Sequence, residues 1–290
     1  MATGTMRIGV TGASGFIGSH LLRALEQLPN VTVHSLKRKN KDTPPASDEL
    51  KDFVREKDLI YHLGGVNRGT GEEIVKGNVE ATFNLVQTLN DLGGKTRIVF
   101  ASSSQVYKPG AEVTACDESY ATEPSTLYGI CKKTAEELIR VSGLDYSLLR
   151  LSNVYGPGCR PYYNSVVATF CERAVRRQSL SVNGDGEQGR DFIFIDDVVR
   201  ALVLAGTTEL KEKSDVFNIS SGKITSLRKI LETIKQFVPE LEIVYHENAD
   251  PGEVSPCYAN DRFKERYNWN PETSLEAGIK LTLESFNKID

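Results

Sequence analysis

The chain has 290 residues, with 39 acidic and 35 basic side chains, a formal net charge of −4 and a hydrophobic fraction of 39%. That length can bury the core of one large domain or of two joined domains, and the composition is typical of globular proteins. The weakly acidic balance gives no bulk attraction to nucleic acid or to an anionic membrane, and no apolar run approaches the ~18–20 residues of a membrane-spanning helix.

The start of the chain and its thiols favour a reducing compartment. The first residues lead almost directly into an apolar strand and lack the pattern of a signal peptide. The five cysteines are an odd number without CxxC pairs, which is typical of reduced thiols, so we expect a cytoplasmic protein. The four histidines are scattered without the spacing of metal ligands, and we expect no metal site.

The first predicted elements are a strand, a glycine-rich turn and a helix in the sequence MRIGVTGASGFIG, from Met6 to Gly18. Backbone N–H groups at the start of a helix point outward, and the helix dipole favours an anion there. Gly12 permits the tight turn, Gly15 lets the backbone approach a pyrophosphate, and Gly18 lets the helix pack closely on the strand. This arrangement predicts a dinucleotide site.

The end of the second predicted strand bears on which dinucleotide is bound. NAD-binding units usually carry Asp or Glu about 20 residues beyond the glycines, where it binds the ribose hydroxyls. The corresponding residue here is Ser35, and Lys37, Arg38 and Lys39 follow it. No carboxylate repels a 2′-phosphate and three cations can attract one, so NADP(H) is favoured. NAD(H), with a simply solvated basic loop, stays open as the alternative.

Strand-like and helix-like segments alternate through the first half of the chain. The alternation predicts a parallel, doubly wound sheet with right-handed crossovers, and the short apolar strands agree because such strands are covered on both faces. About 20 residues, including Pro44 and Pro45, separate the second strand from the third, so we expect a reduced sheet edge. The predicted strands are 7–11, 31–36, 58–63, 96–101 and 145–150, and the predicted helices are 16–28, 47–56, 72–92 and 126–142.

The character of the sequence changes after Arg150. Glycine and proline become frequent, a strand and a helix then return, and the last part has the pattern of short helices and loops. The predicted segments are a helix at 165–177, a strand and a helix within 191–205, a strand at 215–222 and a final helix at 274–287.

This change predicts two domains, the second built from two separated segments. The dinucleotide-binding domain comprises 1–151 plus about 191–222, and a smaller domain of mixed structure comprises 152–190 plus about 223–290. Open α/β sheets bind ligands over the carboxyl ends of their strands. We expect the smaller domain to border a cleft there.

Residues that can move a proton follow the fourth predicted strand. Ser103 lies in SSSQVY at 102–107, and Tyr128 and Lys132 lie four apart on a predicted helix, where they share a face. A phenol with a pKa of about 10 is a poor acid at neutral pH, but a neighbouring ammonium lowers that pKa. Alone, the Tyr–Lys pair is compatible with an exposed helix surface. Together with the phosphate turn and the serine, it predicts hydride chemistry with tyrosine as the proton donor.

Several stretches carry a family resemblance: TGASGFIG, HLGG at 62–65, NVEAT at 78–82, SSSQVY at 102–107, YGICK at 128–132, RLSNVYGPG at 150–158 and GDGEQGRDFIFIDDVVRA at 184–201. They resemble the extended short-chain dehydrogenase/reductase family of nucleotide-sugar epimerases, dehydratases and reductases, over nearly the whole chain. Within it, HLGGVNR and NVYGPGCRPYYNSVVATFC resemble nucleotide-sugar reductases of capsular-polysaccharide biosynthesis.

The resemblance implies a Rossmann-like fold, a nucleotide-sugar substrate, no nucleic-acid or membrane partner, and a homodimer formed through helices 72–92 and 126–142. It implies that Ser103, Tyr128 and Lys132 are catalytic and that Asn78 is structural or relays a proton. The implied cofactor-binding residues are Gly12, Ser14, Gly15, Phe16, Ile17, Gly18, Ser35, Lys37, Arg38, Gly64, Gly65, Tyr128 and Lys132. The implied substrate-binding residues are Ser104, Asn153, Asn164, Val182 and Arg190, with Asn153 and Arg190 at the diphosphate and 181–186 near the base.

The chain departs from the family pattern in two places. Family dehydratases carry Asp and Glu after the catalytic Ser or Thr, as the acid and base for water loss, whereas this chain has Ser104 and Gln105, which disfavours dehydration. A family arginine that clamps the diphosphate falls on Asp250. Arg160 and Arg262 are the candidates to replace it.

These observations favour an NADPH-dependent reductase of a nucleotide-linked 4-keto(-6-deoxy) sugar. The first alternative is a nucleotide-sugar 4-epimerase that keeps a tightly held NAD. The second is a non-catalytic NADP-sensing regulator, which the presence of both Tyr128 and Lys132 disfavours. Cys116 and Cys159 are interpreted as buried thiols or, alternatively, as acid–base groups.

Overall fold

The structure is a computed structural model that describes residues 4–36, 47–108, 115–163, 165–209, 214–246, 248–250 and 255–287. Three residues with predicted binding roles, Lys37, Arg38 and Asn164, lie outside these ranges. Within the described ranges, no helix is both long enough and apolar enough to cross a membrane.

Strands and helices alternate through the described chain. The strands are β1 (Met6–Thr11), β2 (Val31–Ser35), β3 (Leu59–His62), β4 (Arg97–Ser103), β5 (Tyr146–Leu151), β6 (Asn153–Tyr155), β7 (Leu180–Asn183), β8 (Gly189–Phe194), β9 (Asp215–Ile219), β10 (Ile224–Ser226) and β11 (Ile243–His246). The helices are α1 (Phe16–Leu25), α2 (Ser47–Val54), α3 (Gly71–Val75), α4 (Ala81–Asp91), α5 (Leu127–Arg140), α6 (Val166–Val175), α7 (Ile195–Thr207), α8 (Leu227–Phe237), α9 (Asp261–Tyr267) and α10 (Leu275–Asn287).

The chain divides into two compact units, each built from separated segments. The first unit comprises Met1–Lys108, Tyr120–Leu151 and Val199–Phe217, and the second comprises Pro109–Ser119, Ser152–Val198 and Asn218–Asp290. Compactness alone does not say which segments bind a ligand. The predicted division into a dinucleotide domain and a substrate domain therefore stays a prediction.

The main sheet has six strands in the order β2-β1-β3-β4-β5-β9. Strands β1 to β5 pair in parallel, with Ile8 opposite Leu59 and Val99 opposite Ser147. The predicted parallel sheet is confirmed. In the described part of the chain β2 is an edge strand and the following helix, α2, has eight residues, in agreement with the expected reduced edge.

The core of the first unit lies between this sheet and helices α2, α4 and α5. The strands are buried almost throughout because helices cover them, which explains why their sequences are nearly continuous apolar runs. The core residues from the strands are Ile60, Ile98, Phe100, Leu148 and Val216, and those from the helices include Leu50, Val54, Leu85, Leu89, Ala135 and Ile139.

The predicted helix 72–92 is interrupted. Helix α3 begins at a capping box in which the Thr70 hydroxyl accepts from the Glu73 N–H and the Glu73 carboxylate accepts from the Thr70 N–H. A π-helical stretch, Lys76–Glu80, then joins α3 to α4 and carries Asn78, which is buried. Such π-bulges often mark functional positions, and one extra residue per turn is invisible to helical periodicity.

The second unit contains two small sheets, of which the sequence predicted only one strand, the one within 191–205 that corresponds to β8. Strand β8 pairs in parallel with β6 and antiparallel with β10, and β7 pairs in parallel with β11. These strands have three to six residues. Apart from β8, the strands have three or four residues, and runs this short between glycines and prolines carry too little periodicity to be recognised.

Candidate cofactor-binding and catalytic site

The turn between β1 and α1 is shaped by two glycines. Gly12 has φ +70, and a Cβ on it would lie 2.6 Å from the Gly64 nitrogen at the end of β3. A Cβ on Gly18 would overlap the Gly12 carbonyl oxygen. Gly15 caps α1 without a side-chain hydrogen bond, and the first turn of α1 carries no acidic residue. The helix start is therefore compatible with an anion, as a dinucleotide requires.

We expect Gly18→Ala to destabilise the protein by about 1–3 kcal/mol and to weaken nicotinamide-dinucleotide binding, because its methyl group collides with the turn. Gly15→Ala is the matched control for stability alone, since its Cβ would lie 3.1 Å from the same Gly12 oxygen and requires a smaller adjustment. Urea unfolding and fluorescence titration with NADPH and NADH measure both effects. Equal stability of the two variants would contradict this description of the turn.

A chain of buried hydrogen bonds connects this turn to the π-helical stretch. The Gly64 N–H donates to Thr11 Oγ1 at 3.1 Å, Thr11 Oγ1 lies 2.8 Å from His62 Nδ1, and His62 Nε2 lies 2.9 Å from Thr82 Oγ1. Because Thr82 donates its own proton to the Asn78 carbonyl, it accepts from His62 Nε2–H, and Thr11 then donates to Nδ1. Every member is satisfied by a neutral His62. These hydrogen bonds fix the Gly64 backbone beside the turn between β1 and α1.

Asn78 holds an unpartnered oxygen beside Lys132. Its amide nitrogen donates to the carbonyls of Val66 and Ile74, at 2.6 and 2.8 Å. Among the described residues its Oδ1 has no hydrogen-bond partner, although it is buried. A Cβ on Gly65 would lie 2.7 Å from this oxygen and 3.4 Å from Lys132 Nζ. A buried acceptor and an ammonium beside a glycine fit a polar group of a bound molecule.

Lys132 is held inside the first unit by the strand end. Its side chain is 3% exposed, and Nζ donates to the Ala101 carbonyl at 2.8 Å. Nζ also lies 4.5 Å from the ring centroid of Phe100 and 5.9 Å from that of Tyr128. Burial lowers the pKa of Lys132 to about 8, while the charge of Glu136 opposes the shift. This lysine therefore changes charge close to neutral pH.

The beginning of α5 brings Tyr128 to the turn that follows Ser103. Helix α5 is capped by Thr126, whose hydroxyl accepts from the Gly129 N–H and donates to the Gln105 side chain. A Cβ on Gly129 would overlap the Gln105 carbonyl oxygen, so only glycine allows this close approach. The Ser103 hydroxyl accepts from the Gln105 N–H at 3.2 Å. The predicted catalytic residues thus lie together where β4 ends and α5 begins.

A buried polar cluster behind these residues was missed by the sequence analysis. It consists of Ser102, Tyr107, Glu136 and Arg150, and its central pair joins Arg150 Nη2 to Glu136 Oε2 at 2.7 Å. The available signal was the four-residue spacing of Lys132 and Glu136, which places both on one face of a helix.

Two predicted substrate residues lie on neighbouring strands of the second unit. Asn153 on β6 donates to the Asp191 carbonyl at 3.1 Å, and Arg190 precedes Asp191 on β8. Burial raises the pKa of Asp191, whose carboxylate accepts from Ser152 and from Ser221. Asp191 is a further organising residue that the sequence analysis missed.

The remaining predicted site residues are less accessible or farther from any described cluster. Val182 on β7 and Ser104 after β4 are both buried, and their predicted contacts with the substrate stay predictions. Arg160 and Arg262, the candidates to replace the family arginine, are both exposed and belong to the second unit. Asp250, at the position of the family arginine, is not free of interactions.

The environments of Cys116 and Cys159 favour their interpretation as buried, unreactive thiols. Burial raises the pKa of Cys116 to about 11 and also raises the pKa of Cys159, so both stay protonated at neutral pH. All five cysteines are unpaired. Within the ranges that the structure describes, no group of His, Cys, Asp and Glu is arranged to hold a metal ion.

Known sequences similar to this chain point to one protein family. Residues 8–220 match the NAD dependent epimerase/dehydratase family. The UDP-N-acetyl-alpha-D-glucosaminuronate decarboxylase of Bacillus cytotoxicus is 28% identical over 97% of this chain and 98% of its own. The UDP-2-acetamido-2,6-beta-L-arabino-hexul-4-ose reductase of Pseudomonas aeruginosa is 32% identical over 68% of this chain and 49% of its own.

Solved structures agree. The UDP-glucose 4-epimerase of Thermotoga maritima with UDP-glucose superposes with a TM-score of 0.83, 30% identity and coverage of 98% of this chain and 99% of its own. RMD from Pseudomonas aeruginosa complexed with NADPH superposes with a TM-score of 0.86, 25% identity and coverage of 98% of both chains. Relatives with this fold therefore include enzymes named for epimerisation, decarboxylation and reduction.

Proposed function

The chain belongs to the NAD dependent epimerase/dehydratase family, whose relatives act on nucleotide sugars, and on that premise we propose that it is an NADPH-dependent reductase of a nucleotide-linked 4-keto sugar. A 4-keto-6-deoxy hexose is the favoured sugar. The observation that supports the proposal is the placement of Ser103, Tyr128 and Lys132 where β4 ends and α5 begins, together with a glycine turn whose geometry is compatible with an anion.

The three side chains divide the work on the carbonyl group. When bound, the nicotinamide cofactor supplies the hydride that the carbonyl carbon accepts. Tyr128 Oη donates its proton to the oxygen as the carbon–oxygen double bond becomes a single bond. Lys132 Nζ stabilises the phenolate that remains until solvent returns the proton. Ser103 Oγ donates a hydrogen bond to the same oxygen, a contact worth roughly 3–4 kcal/mol in the transition state.

The residues after Ser103 support reduction over dehydration. Gln105, at the position of the dehydratase base, is an amide whose oxygen accepts from Thr126. Ser104, at the position of the dehydratase acid, is buried and titrates only far above neutral pH. Neither side chain can remove or deliver a proton in the way that elimination of water requires.

The end of β2 supports NADP(H) as the cofactor. Ser35, the last residue of β2, lies opposite Val10 of β1, so it reaches the carboxyl end of the sheet without presenting a carboxylate. Lys37 and Arg38 lie outside the described residues. Direct titration should show tighter binding of NADPH than of NADH, and replacing both cations by alanine should abolish the preference. Tighter binding of NADH by the native protein would contradict the assignment.

The test of the reaction begins with the purified protein. Acid extraction should release less than stoichiometric nucleotide, and NADPH should be consumed when 4-keto-sugar nucleotides of different bases are added. The second candidate is a 4-epimerase. It would be established by stoichiometric NAD(H) retained in the protein, together with inversion of the hydroxyl configuration at C4 of a nucleotide sugar and no net consumption of added cofactor. The similarity to the Thermotoga maritima epimerase favours that candidate. Retained NADP binding without any turnover would indicate a regulator.

A homodimer formed through α3, α4 and α5 completes the proposal. These helices expose large apolar side chains in the first unit: Val75 is 42% exposed, Phe83 43%, Leu127 42% and Ile130 47%. Exposed apolar residues that cluster on adjacent helices are typical of a protein interface.

We expect Phe83→Glu to convert the dimer into a monomer, because it places a carboxylate in the proposed interface. Val141→Glu is the control, since Val141 is 80% exposed and follows the last residue of α5. Light scattering after size-exclusion chromatography measures the mass. A monomeric native protein, or a Phe83→Glu variant that still dimerises, would contradict the proposed interface.

A further inference from the structure

The buried cluster behind Lys132 joins three elements of the first unit. Glu136 on α5 accepts from Arg150 Nε at 3.0 Å and from Arg150 Nη2 at 2.7 Å, which makes a two-pronged ion pair. Glu136 also accepts from the Ser102 hydroxyl at 2.5 Å, and Arg150 Nη1 donates to the Tyr107 hydroxyl at 3.1 Å. The carboxylate therefore joins α5 to the ends of β4 and β5.

The cluster contains an uneven set of buried charges. Glu136 is fully buried, and Arg150 and Lys132 are each 3% exposed. Lys132 lies one helical turn before Glu136 on α5, so the two face the same side. When Lys132 is protonated, this buried set holds two cations and one carboxylate: Arg150 pairs directly with Glu136, while Lys132 Nζ donates to the Ala101 carbonyl. Burying a charge is costly unless a counter-ion compensates it, so the balance within this set decides whether Lys132 keeps its proton.

Of the charged and titratable groups on α5 and on the strand ends next to it, Glu136 supplies the negative charge that acts on Lys132. From α5 come Glu136 and the Tyr128 phenol, from β5 comes Arg150, and after β4 comes the Tyr107 phenol, whose ring lies 4.8 Å from the Arg150 guanidinium. The π-helical stretch contributes the uncharged Asn78 amide. Burial lowers the pKa of Lys132, and the Glu136 charge is what opposes that shift.

We propose that Glu136 is a positioning residue that retains Lys132 as an ammonium ion in the buried site, and that Arg150 limits this effect by sharing the carboxylate. The proposal rests on the proposed function only in that the ammonium is the form that assists Tyr128. Through Ser102, the same carboxylate holds the strand end that carries Ser103. The charge state of the lysine is thus set by a buried ion pair.

The proposal predicts shifts of opposite sign for the two partners. Glu136→Gln removes the counter-ion and leaves Arg150 as a like charge, so Lys132 loses its proton at a pH lower by about one unit or more. Arg150→Met removes the cation that pairs with Glu136 and leaves Lys132 as the remaining cation of the buried set, so Lys132 keeps its proton to a higher pH. A purely structural role would lower the stability of both variants without moving the titration of Lys132.

The pH dependence of the free energy of unfolding reports the titration of Lys132 and needs no enzymatic assay. The free energy of unfolding of the full chain is measured in urea between pH 6 and 10, and the curve of each background is compared with that of the same background carrying Lys132→Met. The difference between the two curves bends at the pKa of Lys132 in the folded protein. We expect the bend near pH 8 in the native background, lower in Glu136→Gln and higher in Arg150→Met.

Ser102→Ala is the matched control, because it removes one hydrogen bond to Glu136 and leaves all the charges in place. It should leave the bend where it is in the native background. If Glu136→Gln does not fold, Arg150→Met still tests the sign of the effect. A bend that stays at the native pH in the folded variants, or that moves in the same direction for both partners, would overturn the proposal.

The pH profile of kcat/KM separates this proposal from the proposed reaction. In the variants its alkaline limb should move in the same direction as the unfolding bend. Shifted bends without any turnover of keto-sugar nucleotides would retain the role of Glu136 and reject the reductase function. Turnover of keto-sugar nucleotides with an unshifted bend would retain the reductase function and reject the role of Glu136.

Discussion

Tyr128→Phe is expected to lower kcat for carbonyl reduction by roughly 10²–10⁴-fold, with little change in the affinity for NADPH. The substitution removes only the hydroxyl that donates the proton. The ring stays beside Lys132 Nζ, which lies 5.9 Å from its centroid, and the cap of α5 by Thr126 is untouched. Steady-state rates with a 4-keto-sugar nucleotide and fluorescence titration with NADPH measure the two quantities.

Tyr146→Phe provides the matched control for this loss. Tyr146 is the first residue of β5, at the opposite end of the strand from Leu151. Its substitution by phenylalanine also removes one phenolic hydroxyl, but away from the site. Its rate should equal that of the native enzyme. A Tyr128→Phe variant that keeps most of the native kcat would show that another group delivers the proton.

Lys132→Met is expected to abolish turnover and to stabilise the protein at neutral pH. The pKa of Lys132 is about 8 in the folded protein against an ordinary value of 10.5, so the folded state binds fewer protons between these values. The stability that Lys132 contributes is present above pH 10.5 and is lost as the pH falls through 8. Replacing Lys132 by methionine removes the free-energy cost of keeping a buried ammonium, which is on the order of 3 kcal/mol at most. The net gain is smaller because the hydrogen bond to the Ala101 carbonyl is lost as well.

The gain from Lys132→Met should therefore be largest near pH 6–7 and should shrink as the pH rises toward 10. Urea unfolding at several pH values measures it, and the rate assay measures the loss of turnover. Lys133→Met is the control, because Lys133 lies on the same helix but pairs with Glu137 at the surface. Lower stability of Lys132→Met at every pH would contradict the cost assigned to the buried ammonium.

Much of the first unit could be predicted because its signals are local and repeated. Strands β1, β3, β4 and β5 are short apolar runs separated by amphipathic helices, and burial on both faces produces that pattern. The turn with Gly12 and Gly18 can be recognised from the spacing of its glycines alone. In each case one segment of sequence carries the whole signal.

The remaining features depend on contacts between distant segments. The Arg150–Glu136 pair joins residues 14 apart in sequence on different elements, and neither type of residue is expected inside a core. The π-helical stretch around Asn78 differs from an α-helix by one residue, which periodicity does not resolve. Asp191 collects donors from Ser152 and from Ser221, and no local pattern predicts such a meeting point.

The decisive measurement uses NADPH that carries deuterium on the transferred position of the nicotinamide, together with a 4-keto-6-deoxy nucleotide sugar. The proposed reductase predicts one NADPH oxidised for each alcohol formed, with deuterium on the former carbonyl carbon. Tyr128→Phe should suppress both to the background level. No oxidation of NADPH by the keto sugar, together with interconversion of the two corresponding C4 alcohols without deuterium in either, would contradict the reductase and identify the protein as an epimerase.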